Sequence, residues 1–232
     1  MSLKLLKILF LLCISTIYCQ ESALYLSEAI KENLNYYQKA SDAAFVRKDF
    51  AEGQRLFDSL VQYQLLGTQF DNFTIKRYHA KKLQLNKINK PIFIITYTSW
   101  CLLNKGEVAG LNRLAKEHRN NIVFIVLFWD KKSNLDKIAR QFSNDIEICY
   151  ANDRYKNDLT IFFILKNTLG FPISFFIDEN KKVTHIKRVS NQLKPRTSFA
   201  TAKEVSYANF NQSIIESIRN KIVAHYLLNP KN

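Results

Sequence analysis

The spacing of apolar positions changes along the chain, and each change predicts an element. Leu24, Ala29, Ile30, Leu34 and Tyr37 keep helical spacing, and Asp49 suits the cap of a second helix with Phe50, Leu56, Phe57, Leu60 and Val61 on one face. Residues 22–66 are therefore predicted helical, with Gly67 as the stop. Short extended segments at 72–75 and 81–85 suggest a hairpin. Pro91 opens an unbroken apolar run, Ile92–Thr98, which suits a strand buried on both faces. An amphipathic helix over 105–118 turns Val108, Leu111, Leu114, Ala115 and His118 inward, and 121–128 is a second buried strand. A helix at 132–142, a strand at 146–150 and a helix at 154–166 follow. Pro172 leads a strand, Asp178-Glu179-Asn180 forms a turn, 182–189 returns as a strand, and 209–228 closes with a helix. Strands alternate with helices until a final hairpin, the order of an α/β fold with a mixed sheet covered by helices on both faces.

Composition supports a sizeable core. Apolar residues make up 47% and aromatics 13%, while 5 glycines and 4 prolines leave little for flexible linkers. The chain start changes the picture of compartment. Lys4 and Lys7 precede an apolar run over 8–18 and the polar Gln20-Glu21-Ser22, the layout of a signal peptide. The expected organisation is a leader at 1–19, a helical N-terminal segment at 20–66 and one α/β domain at 67–232. A lipid anchor on Cys19 or an uncleaved anchor is the alternative. Cleavage removes Cys13 and Cys19, leaving Cys101 and Cys149, which make no disulfide framework. It also lowers the net charge from +14 to +12, since Lys4 and Lys7 leave. The basic residues are scattered, as on a solvated surface. Nucleic acid is a poor partner for an exported protein, and attraction to anionic membrane surfaces or acidic partners is the other reading. No second segment is apolar and long enough to span a membrane, so no integral span is expected after cleavage.

The candidate chemistry lies where the first buried strand ends in Thr98-Ser99-Trp100-Cys101. A helix begins within a few residues, and its unpaired N–H groups favour negative charge. A cysteine there has its thiolate stabilised and its pKa lowered, and Lys105 adds a positive charge. Cys149 sits in an alternating strand, where burial as a small apolar residue is the common fate and a redox partnership with Cys101 the alternative. His79, His118, His185 and His225 lack the spacing of a metal site, so neither metal nor cofactor is expected.

In these segments the chain resembles the thioredoxin superfamily, and within it exported TlpA/ResA-like thiol-disulfide proteins. Pro91–Glu107 is similar to that family's strand, its Trp-Cys-x-x-Cys and the glutamate beyond. Gly67–Phe73 is similar to the short segment that opens these domains, and Gly170–Asp178 to the cis-proline strand. The resemblance covers about residues 67–228 and implies a thioredoxin-like mixed sheet. It places Cys101 as nucleophile, Glu107 as proton carrier, Trp100 as its shield, and Phe171 and Pro172 where a partner strand binds. A solvated helix glutamate is the plainer reading of Glu107. The chain departs from the pattern at Asn104, which stands where the resolving cysteine belongs, at Ala109, where a proline is usual, and at the bulky Phe171. The expected function is a monothiol thiol-disulfide oxidoreductase acting on protein thiols or disulfides of the envelope. The alternative is a thioredoxin-like interaction module without catalysis. Oligomeric state is not legible.

Overall fold

Ile92–Tyr97 is apolar at nearly every position and becomes β3, buried along its whole length. The computed structural model describes residues 23–100, 106–152, 159–166, 169–170, 172–189, 193–194 and 196–228. The leader expected at 1–19 and Cys101, Asn104, Lys105 and Phe171 lie outside the described residues.

The chain opens with a helical hairpin, α1 (Leu26–Val46) and α2 (Phe50–Leu60), the second running on through a wide turn at Val61–Leu65. Asp49 caps α2 through its carboxylate, which accepts the Glu52 N–H at 3.0 Å. Gly67, at φ +83°, ends the helical segment as expected. Leu24 stands before the helix and Phe50 is solvent-exposed, so neither joins the buried face assigned to it.

Strands β1 (Thr74–Arg77), β2 (Leu83–Gln84), β3, β4 (Val123–Phe128), β5 (Ile146–Tyr150), β6 (Ile173–Ile177) and β7 (Val183–Arg188) follow. Among the described residues they form one sheet in the order β2-β1-β5-β4-β3-β6-β7. Strands β3, β4 and β5 are parallel, and β1, β6 and β7 pair antiparallel with their neighbours. Helix α3 (Glu107–His118) crosses from β3 to β4, α4 (Asp136–Ala139) precedes β5, α5 (Leu159–Ile161) leads into a wide turn ending at Lys166, and α6 (Phe199–Leu228) closes the chain.

Two cores flank the sheet. One joins the α1–α2 hairpin, Leu165 and Leu169 to Ile92, Ile94, Phe175 and Val183; the other sets Leu111, Leu114, Phe210 and Ile214 against Phe93, Ile95, Phe124 and Phe176. The segment after the hairpin is stitched to both the chain start and β7. The Leu26 N–H donates to the Gln69 carbonyl (2.8 Å), Gly67 N–H to Val183 O (2.8 Å), and Val183 N–H to Thr68 O (2.9 Å). Arg188 adds a tie, stacked 4.1 Å from the Phe57 ring and donating to the Tyr37 hydroxyl at 2.5 Å. The helical N-terminal segment and the sheet thus share one hydrophobic core.

Three boundaries differ from the sequence reading. The helix expected over 132–142 is reduced to a tight turn at Lys132–Asn134 and the four-residue α4. Helix α3 starts at Glu107 rather than 105, because Gly106 takes φ +87°. Helix α6 starts ten residues before 209, at Phe199, with the Ser198 hydroxyl accepting the Thr201 N–H at 3.1 Å.

Candidate functional site

Tyr97 ends β3, and Thr98-Ser99-Trp100 lead toward residue 101 at the carboxyl end of the parallel strands. This is where open α/β sheets place their chemistry. The neighbouring strand fixes this exit. The Ser99 N–H and hydroxyl donate to the two carboxylate oxygens of Asp130, at 2.6 and 2.5 Å. Asp130 is buried, two residues beyond β4. A two-point bond to a buried carboxylate holds the turn before the cysteine position in one geometry.

Helix α3 begins on the other side of that position. Gly106 is required twice: by its positive φ, and because a Cβ there would lie 2.4 Å from the Lys203 backbone nitrogen. Gly110 repeats the close approach one turn later, at 2.8 Å from the Tyr207 nitrogen. The start of α3 is thereby pressed against the start of α6. Glu107, the first residue of α3, is buried rather than solvated. Its carboxylate accepts a hydrogen bond from the Tyr97 hydroxyl at the end of β3. A buried acid on a phenol, between the end of the strand and the start of the helix, can hold or pass a proton.

Pro172 comes to the same end of the sheet. Thr96 pairs with Ile173, so the next position in register sets Pro172 opposite Tyr97. The Thr96 hydroxyl bonds both the N–H and the carbonyl of Ile173 at 3.3 Å, pinning the two strand ends. The Pro172 carbonyl already accepts the Val189 N–H at 3.0 Å, and proline has no N–H of its own. The peptide bond between 171 and Pro172, expected cis, lies outside the described residues.

Trp100 is 71% exposed. Cys149 lies in β5, fully buried beside Leu127 of β4, with β4 between it and β3. Burial pushes its thiol far up, with the Glu147 carboxylate adding to the effect, so it stays protonated and unreactive. Among the described residues no cluster of His, Cys, Asp and Glu could hold a metal ion. His79 is exposed on the Tyr78 ring, while His185 is buried beneath α6, 3.4 Å from Glu216.

Sequence reasoning named Trp100, Glu107 and Pro172, and the structure gathers them around one end of β3. It missed Tyr97 and Asp130. Tyr97 carried a signal, a hydroxyl at the last position of an apolar strand. Asp130 carried a weaker one, an acid just past the second strand.

Sheet order, parallel crossovers and the terminal antiparallel pair define a thioredoxin-like α/β fold, with the candidate residues gathered at the end of its central strand. No family model and no curated protein matches the sequence. Solved structures that resemble it include a putative protein disulfide isomerase from Bacteroides thetaiotaomicron, at 16% identity over 69% of this chain and 94% of that one, with a TM-score of 0.49. A putative thiol:disulfide interchange protein DsbE from Chlorobium tepidum shares 17% identity over 66% of this chain and 96% of its own, with a TM-score of 0.47. A thioredoxin-like protein from Bacteroides caccae matches at 14% identity over 69% of this chain, with a TM-score of 0.44; the match spans 55% of that protein's length. These likenesses concern the fold alone.

Proposed function

We propose that this chain is an exported thiol-disulfide protein that works through one cysteine, Cys101, on protein thiols or disulfides of the cell envelope. The observation that carries the reading is the buried Glu107–Tyr97 pair. It sits between the end of β3 and the start of α3, the two elements that bracket position 101, with Pro172 in register beside it. The charged start and apolar run of residues 4–18 support export.

The chemistry is a two-step exchange. The Cys101 thiolate attacks one sulfur of a partner disulfide, that S–S bond breaks, and a mixed disulfide forms. The partner's other sulfur leaves as a thiolate and takes up the proton that the Cys101 thiol gave up on ionising, with Glu107 the proposed carrier between the two. Asn104 offers no second thiol, so a thiolate from outside must attack the mixed disulfide, regenerating Cys101. The missing resolving cysteine makes that intermediate long-lived. Trp100 supplies an exposed apolar surface for the partner.

Capture of mixed disulfides tests this. Envelope proteins should cross-link to the wild-type chain, be released by dithiothreitol, and be absent with Cys101→Ser. An Asn104→Cys chain should trap fewer partners and reduce insulin catalytically. No cross-links from wild type together with an inactive Asn104→Cys protein would reject the enzyme reading in favour of a non-catalytic interaction module.

A further inference from the structure

The helical hairpin extends past the cores it helps to build. The last of its residues to join the sheet's apolar layers are Tyr37 on α1 and, coming back, Leu56 and Phe57 on α2. Residues 38–46 add nine residues of helix, about 14 Å at 1.5 Å per residue, before the chain turns. The buried Ala44 belongs to neither core. This distal part is an arm.

The tip of the arm reads Phe45-Val46-Arg47-Lys48-Asp49-Phe50. Phe45, Val46 and Phe50 are 71%, 80% and 69% exposed, and the two phenyl rings pack edge to face at 6.4 Å. These are three large apolar side chains on one convex knob. Two of the three acids near the tip are engaged: Asp49 caps α2 and Glu52 pairs with Arg55 at 2.6 Å, while Asp42 is exposed one turn before Val46. Arg47 and Lys48 are exposed, and their side chains make no hydrogen bond or ion pair among the described residues. The tip therefore presents an apolar wedge with two exposed cations in its midst, Arg47 also within electrostatic reach of Glu52, on a chain of net charge +14.

We propose that this tip is a membrane-docking device. Phe45, Val46 and Phe50 enter the interfacial layer of a bilayer, and Arg47 and Lys48 meet anionic lipid headgroups. Three features favour lipid over a protein groove. The knob is convex, which suits a deformable surface. The cations lie between the apolar residues, matching the depth order of phosphate and acyl chain. The net positive charge of the chain attracts the molecule as a whole toward an anionic surface. Docking would hold the β3 end of the molecule close to envelope partners without a spanning helix, and no helix among the described residues is long and apolar enough to span. The inference does not depend on the thiol chemistry.

The test uses the chain lacking residues 1–19, the expected leader, so that any partitioning comes from the rest of the chain and not from its apolar start. Flotation is measured with vesicles of pure phosphatidylcholine and of phosphatidylcholine with phosphatidylglycerol. Wild type should float with the anionic vesicles. Partitioning should fall by roughly tenfold or more in Phe45→Ser/Val46→Ser/Phe50→Ser, and comparably in Arg47→Glu/Lys48→Glu. All of these side chains are exposed, so thermal melts should stay unchanged. Amide exchange over residues 44–50 should slow when anionic vesicles are added. Failure of wild type to float, or equal flotation of the variants, overturns the proposal. So does a wild-type dimer that the triple substitution dissociates, because the tip would then be a self-association surface.

Discussion

Glu107 is a buried acid whose partner on β3 is the Tyr97 hydroxyl, and the prediction about this pair follows from burial. Tyr97→Phe keeps the ring packing and removes one donor from a carboxylate without easy access to water. It should lower unfolding free energy by about 1–3 kcal/mol in urea titration. An unchanged midpoint would mean the pair is not structurally coupled. Cys149 makes the opposite case, a thiol that burial keeps protonated. It should resist iodoacetamide at neutral pH until the chain is denatured, read by peptide mass. His185 extends the same logic to pH. Burial beneath α6 lowers its pKa to about 4, with Lys187 and Arg219 acting in the same direction and the Glu216 carboxylate opposing. The folded state then binds fewer protons than the unfolded state between about pH 4 and 6.5, so stability rises with pH across that window. It is fully present above 6.5 and lost as pH falls toward 4, by up to about 3 kcal/mol for a shift of this size. A His185→Gln chain should show a flatter profile over that range, and identical slopes would remove His185 as the cause.

The long apolar strands β3, β4 and β6 were legible because burial on both faces demands unbroken runs such as Ile92–Tyr97. Helix α6 was read ten residues short for an equally physical reason. Its buried positions begin with Ala202 and Ser206 before Phe210 and Ile214, so the inward stripe starts in small residues. Those small residues meet Gly106 and Gly110 of α3, where the backbones approach too closely for larger side chains. A pattern written in Gly, Ala and Ser is invisible to a search for large hydrophobes. Gly110→Ala tests the packing. The added Cβ meets backbone at 2.8 Å, which cannot swing aside, so the chain should lose about 2 kcal/mol even though alanine favours helix by roughly 1 kcal/mol. A neutral or stabilising result, by thermal melt, would show that α3 and α6 can slide apart. Asp130 was missed because one acid after an apolar strand has no spacing to announce it; only the fold brings it to Ser99. Asp130→Ala should loosen residues 98–100, seen as faster amide exchange there, while β4 keeps its protection.

For the whole molecule, the sheet order and its two cores agree with the class that the sequence pattern implied, and the N-terminal hairpin adds a layer sealed by Arg188, Tyr37 and Phe57. The convergence of Trp100, Glu107 and Pro172 at one sheet end was legible only through resemblance, because they are separated by up to 72 positions in the chain. The way they are held was not legible, since Tyr97 and Thr96 act through geometry that no linear spacing encodes. The proposed function requires this frame to serve a reactive thiolate at position 101. The most direct measurement is the rate of Cys101 alkylation by iodoacetamide as a function of pH, followed by mass spectrometry of its peptide. On the proposed reading, the N-terminal end of α3 and the charge of Lys105 should give a half-point below the unperturbed cysteine value of about 8.5, with Cys149 unmodified throughout. A half-point at or above that value would mean that the site does not activate the thiol, leaving the fold to serve as a binding module.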